Sequence, residues 1–272
     1  MKRVAILGSP IRGALSPVIH RAAYRAADLD WTYEAIECSP EQLGGFLAAL
    51  DDTWGGLSLT MPLKRTALPL LDELTPLARA VGAVNTVIVK DGRKVGDNTD
   101  VHGMAEAIRE SGVERPATAA ILGAGATAAT ALAVLRTLGC SGASVVARDH
   151  SRAGPLLEAA DRLGVSVDLK PWNEAPRHLE ADLVISALPP GATDGLARCR
   201  FPAPKTLLDV LYQPWPTPLA LAAAREGTQV IGGLPMLLHQ AARQVVLQTG
   251  CREAPIEAMR AASAAVLGAL SC

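Results

Sequence analysis

The sequence has few aromatic side chains and almost no excess charge of either sign. Only 3% of its 272 residues are aromatic, and the formal net charge is −1. Proteins that bind nucleic acid or anionic membranes usually carry a basic patch, and no long run of one sign occurs here. We therefore expect neither partner. Because 49% of the residues are apolar, a sizeable core is available, filled mainly by Ala, Leu and Val.

Patterns typical of disulfide frameworks and metal sites are also missing. The five cysteines, Cys38, Cys140, Cys199, Cys251 and Cys272, are odd in number and form no C-x-x-C pair. This usage favours free thiols in a reducing cytoplasm. No histidine spacing is typical of a metal site. His20 and His102 lie in predicted helices, so we expect packing or surface roles for them and no bound metal.

No segment predicts a secretion signal or a membrane span. The basic start at Met1 is followed by an apolar run that Gly8 ends, which is too short for a signal peptide. Residues 116–135 carry no charge and nearly reach the length of a span. Their Ala, Thr and Gly content favours a strand, a turn and a helix instead, so a cytoplasmic location is expected.

The order of apolar runs and amphipathic segments predicts an α/β fold in two parts. In the first part, strands are predicted at 4–7, 31–36, 56–60, 84–89 and 94–95, with helices from 16, at 40–50, 67–74 and 77–81. Ser16 is predicted as the N-cap of the first helix with Pro17 following, and Asp91-Gly92 signals a hairpin.

The second part alternates strands and helices regularly. Strands are predicted at 119–122, 144–147, 166–169, 182–187 and 206–210, with helices at 101–111, 126–138 and 152–163. This alternation is typical of a doubly wound parallel sheet, as in Rossmann-like domains. Two further helices are predicted from about 234 onward.

A glycine-rich turn follows the first strand of that second part. Residues 123–128 read Gly-Ala-Gly-Ala-Thr-Ala and fit G-x-G-x-x-A between a strand and a helix. Gly123 permits the tight turn, Gly125 lets a pyrophosphate approach the backbone, and Ala128 allows close helix packing. Ala126 and Thr127 open the helix whose N-terminus favours an anion. The alternative is a close-packed turn without a ligand.

The tip of the next strand carries arginine rather than an acidic residue. Arg148 follows Ala147, and Arg152 lies one helical turn on. Two guanidinium groups suit a 2′-phosphate, so the pattern favours NADP over NAD. Asp149 is interpreted as part of the cap of the helix beginning near Arg152. The alternative for both arginines is a solvated helix end.

Three polar residues follow apolar runs in the first part: Lys64, Asn85 and Asp100. Side chains at strand ends of α/β sheets converge on ligands, so an amine, a carboxamide and a carboxylate could hold a hydroxylated substrate. Oxidising a secondary alcohol needs a base for the hydroxyl proton and a hydride acceptor. Lysine is a poor base at its usual pKa of about 10.4, and Asp100 could orient the amine and relay the proton. A structural Lys64–Asp100 ion pair is the alternative.

Several motifs in order along nearly the whole chain resemble the shikimate dehydrogenase family. They are Gly8-Ser9-Pro10-Ile11, Leu15-Ser16-Pro17, Leu59-Thr60-Met61-Pro62-Leu63-Lys64, Gly82-Ala83-Val84-Asn85-Thr86, Gly96-Asp97-Asn98-Thr99-Asp100, Asp209-Val210-Leu211-Tyr212, Thr217-Pro218-Leu219 and Gly233-Leu234-Pro235-Met236-Leu237 with Gln240. The resemblance implies NADP-linked interconversion of shikimate and 3-dehydroshikimate, a step of aromatic amino acid biosynthesis.

The resemblance also implies roles for individual residues and a domain plan. Lys64 and Asp100 would be the catalytic pair, and Gly233 would lie by the nicotinamide. The implied substrate contacts are Ser16, Thr60, Asn85, Tyr212 and Gln240. The plan is a substrate domain at 1–101, an NADP domain at 102–233, and helices at 234–272 that return to the substrate domain. A monomer or homodimer is expected.

The chain departs from the family pattern where the substrate carboxylate is held. His-Ser usually precedes the Ser-Pro helix start, and Gly13 and Ala14 stand there. Ser58 stands where asparagine is usual, Ala126 replaces the third glycine of the turn, and Ala147 replaces an asparagine. Three outcomes stay open: a shikimate dehydrogenase with a raised KM, a paralogue that prefers quinate or an aminoshikimate, with NADP or NAD, and an NADP-binding protein with little turnover.

Overall fold

A computed structural model describes residues 1–200 and 205–270 of the chain. Within it the chain divides into two compact units. The first contains residues 1–99 together with those from 238 onward, and the second contains residues 100–237. Each unit is built around its own six-stranded sheet. The predicted two-part α/β fold is confirmed.

The first unit begins with alternating strands and helices and ends in a hairpin. Its elements before the hairpin are β1 (Lys2–Gly8), α1 (Ser16–Ala26), β2 (Trp31–Glu37), α2 (Pro40–Ala48), β3 (Trp54–Leu59), α3 (Leu63–Thr66), β4 (Glu73–Leu74) and α4 (Pro76–Val81). The hairpin strands are β5 (Thr86–Lys90) and β6 (Arg93–Asp97). The sheet order is β2-β1-β3-β5-β6-β4.

This sheet is mixed because a parallel part meets the antiparallel hairpin. β1 runs parallel to β2 and β3, whereas β5 pairs antiparallel with both β3 and β6. At the hairpin turn Asp91 has φ 51° and Gly92 has φ 72°, the positive angles that a tight two-residue turn requires. Leu7, Leu57 and Leu63 are fully buried beside the sheet.

Two local predictions in this unit are wrong. The helix predicted at 67–74 is instead a 3-10 turn at Leu68–Leu70 followed by β4, which pairs with β6. Ser16 does not cap α1, because the carbonyl of Leu15 accepts the first helical hydrogen bonds from Val18 and Ile19. Ser16 is therefore the first helical residue, and its hydroxyl makes no cap.

The second unit follows the predicted alternation closely. Its elements are α5 (Asp100–Glu110), β7 (Ala119–Leu122), α6 (Ala126–Thr137), β8 (Gly142–Ala147), α7 (Gly154–Leu163), β9 (Ser166–Pro171), α8 (Ala175–His178), β10 (Leu183–Ser186), β11 (Thr206–Asp209), α9 (Pro218–Arg225) and β12 (Gln229–Ile231). The last two helices are α10 (Gly233–Thr249), which continues into the first unit, and α11 (Ile256–Leu270).

The six strands of this unit are all parallel, in the order β12-β11-β10-β7-β8-β9. The chain leaves β7 toward one edge through β8 and β9, then returns to β10 on the other side. The strand order thus reverses between β7 and β10, where doubly wound sheets bind their ligands. The sequence patterns did not predict α8, α9 or β12.

The core uses small aliphatic side chains, as the composition requires. The buried residues of α6 include Ala128, Ala131 and Leu132, each fully shielded from solvent. They follow Ile121 and Leu122 of β7, which are also fully buried. Within residues 1–200 and 205–270, no helix has both the length and the apolar character needed to cross a bilayer.

Candidate active site

Backbone hydrogen bonds in the first unit hold three of the predicted site residues at the same end of the central strands. Thr60 follows β3, and its N–H donates to the Leu7 carbonyl at the end of β1 over 2.9 Å. The carbonyl of Lys64, in α3, accepts from the Val84 N–H over 2.8 Å, directly before Asn85. The side chains of Thr60 and Lys64 are half-buried. The backbone at Thr60, at Lys64 and directly before Asn85 is thereby held in place next to β3, α3 and β5.

Asn85 and Gln240 are in direct contact although 155 positions separate them. Asn85 Nδ2 donates to Gln240 Oε1 over 3.2 Å, and both residues are buried. Asn85 Oδ1 accepts from the Thr99 N–H over 2.7 Å, which fixes the direction of the amide. The structure therefore brings together two predicted substrate-binding residues from opposite ends of the sequence.

A network of buried polar residues around Asn85 and Gln240 was not predicted from the sequence. Tyr33 donates its hydroxyl to Ser58 Oγ over 2.7 Å, and Ser58 donates to Gln244 Oε1 over 3.0 Å. Gln244 Nε2 donates to Thr86 Oγ1 over 3.0 Å. Thr86 in turn donates to Asn85 Oδ1 over 2.8 Å. The Ser58 hydroxyl hydrogen is therefore already donated to Gln244. The signal for this network was the spacing of Gln240, Gln244 and Gln248 on one helical face.

His20 is a packing residue, as predicted. Its ring stacks on Tyr33 with centroids 4.1 Å apart, and Nδ1 donates to the Ser16 carbonyl over 2.9 Å. Burial lowers the pKa of His20 to about 4, against smaller opposing effects of its hydrogen bond to Ser16 and of the nearby Gln244 side chain. Among the described residues, no group meets Nε2 in good hydrogen-bond geometry. The imidazole is neutral at physiological pH.

Ser16 lies beside the same tyrosine. Burial raises the pKa of Tyr33, and hydrogen bonding to Ser58 and to Ser16 lowers it in part. Ser16 is itself buried. The predicted carboxylate-binding hydroxyl is thus linked to the network that reaches Asn85.

The loop that carries the unusual Gly13 and Ala14 is held by a carboxylate. Glu37 accepts from the Ser9 hydroxyl over 2.6 Å and from the Ile11 N–H over 3.0 Å. These hydrogen bonds lower the pKa of Glu37. Gly13 has φ 81°, a backbone conformation that disfavours the histidine usual there.

In the second unit, the glycine-rich turn lies where the strand order reverses. Gly123 has φ 109°, and its N–H donates to the Val146 carbonyl over 2.8 Å. A Cβ at Gly123 would come within 3.0 Å of the Ala187 carbonyl oxygen, just beyond β10. The fold itself therefore requires this glycine.

Gly125 differs because, among the described residues, no atom outside its chain neighbours occupies the space beside it. It has φ −84°, it is exposed, and a Cβ there would meet no protein atom within 4 Å. It precedes the twelve-residue helix α6, where Ala126 and Thr127 form the first turn and no side chain caps the N-terminus. An open backbone at a helix N-terminus fits an anionic group such as a pyrophosphate.

Arg148 and Arg152 are both exposed beyond the end of β8. Asp149 lies between them, but its carboxylate accepts from the Ser151 N–H over 3.0 Å and from the Ser151 hydroxyl over 2.6 Å. It thereby caps the short 3-10 helix at His150–Arg152. The acidic residue is engaged locally, and the two guanidinium groups dominate the charge at this tip.

Tyr212 and Gly233 are connected through one stretch of backbone. The Gly233 N–H donates to the Leu211 carbonyl over 2.9 Å, and a Cβ at Gly233 would overlap the Val210 carbonyl. Asp209 holds this stretch by accepting from the Thr217 hydroxyl over 2.8 Å and from the Leu211 N–H over 3.3 Å. Burial raises the pKa of Asp209, and these bonds oppose the shift.

Asp100 opens α5 and is buried. It follows Thr99, whose N–H donates to Asn85. Lys64 belongs to the first unit and Asp100 to the second, so their pairing stays a prediction. In the part of the chain that the structure describes, no three His, Cys, Asp or Glu side chains form a metal-binding group.

Comparisons with known proteins show which family the chain is similar to. Residues 6–87 match the family model "Shikimate dehydrogenase substrate binding domain", and residues 233–262 match "Shikimate 5'-dehydrogenase C-terminal domain". The chain is 34% identical to the shikimate dehydrogenase (NADP(+)) of Desulfitobacterium hafniense, over 96% of this chain and 97% of that protein.

Solved structures show the same similarity. The shikimate dehydrogenase of Mycobacterium tuberculosis is 41% identical with a TM-score of 0.86, covering 97% of this chain and 100% of that one. The enzyme of Thermus thermophilus, solved in complex with NADP(H) and shikimate, is 34% identical with a TM-score of 0.84. That match covers 96% of this chain and 98% of the other.

Proposed function

The chain belongs to the shikimate dehydrogenase family, and from that premise we propose which residues carry its reaction. It is an NADP-dependent oxidoreductase that interconverts shikimate and 3-dehydroshikimate. The single observation that supports our assignment of residues best is the contact between Asn85 and Gln240. Two buried amides from distant parts of the sequence meet beside the backbone that carries Lys64.

Lys64 and Asp100 handle the hydroxyl proton in this proposal. The Lys64 amine takes the proton from the reacting hydroxyl during oxidation and returns it during reduction. Asp100 orients the amine and relays the proton. NADP, when bound, would accept the hydride from the carbon that bears this hydroxyl. The half-buried position of Lys64 and the hydrogen bond from Val84 to its carbonyl support this role.

The remaining predicted residues hold the substrate. Asn85, Gln240 and Thr60 bind its hydroxyl groups, and Ser16 binds its carboxylate. Tyr212 contacts it from the loop after β11. Buried amides suit such a polyol because a substrate that lacks the matching hydroxyl would leave them without partners.

The second unit holds the cofactor in the same proposal. Gly123, Gly125, Ala126 and Thr127 form the pyrophosphate turn, and Arg148 and Arg152 bind the 2′-phosphate. Gly233 lies by the nicotinamide. The open space beside Gly125 supports this assignment, since the fold makes no use of that glycine's missing side chain.

A preference for quinate or an aminoshikimate, and an NADP-binding protein without turnover, are not favoured. Curated relatives that are 32–34% identical over nearly the whole chain are named as NADP-dependent shikimate dehydrogenases, whereas a structurally similar quinate dehydrogenase solved with NAD is 28% identical. Ala14 removes one carboxylate partner, so the proposal includes a raised KM for shikimate. We also propose a cytoplasmic enzyme that is a monomer or a homodimer. The free thiols of Cys38 and Cys140 fit a reducing compartment, and sedimentation velocity measures the oligomeric state.

A turnover assay tests the proposal directly. Purified protein is supplied with NADP or NAD and with shikimate, quinate or aminoshikimate, while the reduced cofactor is followed. Shikimate with NADP is expected to give the highest kcat/KM. Tight NADP binding without turnover on any substrate would contradict the proposal.

The variant Lys64→Ala tests the proton step. Removing a general base or acid typically costs about 10²–10⁴-fold, so kcat is expected to fall by that order while KM changes little. Lys90→Ala is the matched control because Lys90 is exposed at the end of β5, and its kcat should match the wild type. A Lys64→Ala enzyme that keeps most of its kcat would remove Lys64 from the chemistry.

A further inference from the structure

Three glutamines on α10 contact the sheet of the first unit at successive turns. Gln240 accepts from Asn85, and Gln244 donates to the Asn85 carbonyl over 3.1 Å and to the Thr86 hydroxyl over 3.0 Å. Gln248 donates to the Leu57 carbonyl over 3.1 Å. All three are buried. Only the first has an assigned role in the reaction.

The hydrogen bonds of Gln244 run in one direction only. A backbone carbonyl can only accept, so the group facing the Asn85 carbonyl is Nε2. Oε1 therefore faces Ser58, which must donate to it, and Tyr33 must then donate to Ser58. Hydrogen bonds aligned in this way strengthen one another in a buried setting.

Beyond Gln244 the hydrogen bonds continue to Asn85 and Gln240. Gln244 donates to the Thr86 hydroxyl, which donates to Asn85 Oδ1 and also contacts the Thr99 hydroxyl. The Thr99 N–H orients the Asn85 amide, so that Nδ2 faces Gln240 Oε1. The oxygen of Gln240 is thus engaged by Asn85.

We propose that Gln244 is a positioning residue for the reaction. It ties α10 to the start of β5 one helical turn from Gln240, and so sets Gln240 against Asn85. The proposal rests on the proposed function in that the substrate bound there is shikimate.

Gln248 provides a matched control on the same helix. It is buried to a similar degree, and its hydrogen bonds go to backbone carbonyls of β3 and β5. These hydrogen bonds reach neither Asn85 nor Thr86, and Gln248 lies one turn further from Gln240. Replacing Gln248 removes hydrogen bonds between helix and sheet but leaves the series of hydrogen bonds from Tyr33 through Gln244 to Asn85 intact.

The test compares Gln244→Met with Gln248→Met, since methionine keeps the unbranched shape. For Gln244→Met, KM for shikimate is expected to rise about three- to tenfold, the factor that corresponds to one net hydrogen bond. The kcat and the KM for NADP should change by less than about twofold. Gln248→Met should lower the Tm while leaving KM for shikimate near the wild-type value.

A second readout does not depend on turnover. With ¹⁵N-labelled asparagine and glutamine, the Asn85 side-chain amide should exchange slowly in the wild type and in Gln248→Met, and faster in Gln244→Met. Equal shikimate KM values in both variants, or an unchanged Asn85 amide in Gln244→Met, would overturn the inference. A wild type without shikimate turnover would instead contradict the proposed function, and the amide exchange would still decide the role of Gln244.

Discussion

Replacing Gly125 with alanine separates what the fold needs from what the cofactor needs. The added Cβ would meet no protein atom within 4 Å, and the backbone there has φ −84° and ψ −169°, which alanine adopts without strain. Gly123 is the opposite case, with φ 109° and a tight approach to the Ala187 carbonyl. The two alanine variants should therefore fail in different assays.

The expected magnitudes follow from these geometries. At Gly125, alanine is a poorer N-cap than glycine, but it also reduces the entropy of the unfolded chain by about 0.4–1 kcal/mol. These effects nearly cancel, so the Tm should move by less than about 2 °C. At Gly123, a left-handed alanine costs about 1–3 kcal/mol, and each kcal/mol lowers the Tm by about 2–4 °C.

Unlike the Tm, the affinity for NADP should be strongly reduced by Gly125→Ala. A methyl group at position 125 keeps the pyrophosphate away from the N–H groups at the start of α6. Each lost charge-assisted hydrogen bond costs about 1.5–3 kcal/mol, so KM for NADP should rise about tenfold or more. Thermal unfolding and NADP titration on both variants measure the two effects. An unchanged KM for NADP in Gly125→Ala at an unchanged Tm would refute the pyrophosphate assignment.

Two further predictions concern the cofactor phosphate and the substrate carboxylate. Arg148→Ala should raise KM for NADP about tenfold and leave KM for NAD unchanged, since only the 2′-phosphate loses a partner; parallel loss with both cofactors would contradict the role. Ala14→Ser should lower KM for shikimate by about tenfold or more without changing kcat, because it restores one hydrogen bond to a charged group. Initial-rate kinetics measure both, and an unchanged KM in Ala14→Ser would show that the loop binds in another way.

Features with local causes could be predicted from the sequence. The hairpin at Asp91-Gly92 follows from positive φ preferences within two residues. The turn at Gly123 follows from a buried strand that ends directly before glycine and a helix. In both places neighbouring residues decide the backbone, so the sequence pattern is sufficient.

Features with distant causes could not be predicted in the same way. Residues 67–74 carry a helical pattern, yet Glu73 and Leu74 join the sheet because they pair with β6. Ser16 precedes proline as caps often do, but Leu15 supplies the first carbonyl. The roles of Asn85 and Gln240 came from family resemblance. Their mutual contact and the part of Gln244 depend on how α10 packs, which single-sequence patterns do not specify.

The first unit is built from two separate stretches of the chain, and this affects the order in which the protein folds during synthesis. The second unit is continuous from residue 100 to residue 237, so its parallel sheet can fold while the chain is still growing. The first unit needs residues from 238 onward. Asn85 therefore cannot contact Gln240 until the residues up to Gln240, 155 positions later, have been synthesised. Contacts between residues so far apart in sequence form slowly. A nascent chain stalled after residue 237 would contain the second unit but lack the contact between the Asn85 and Gln240 amides.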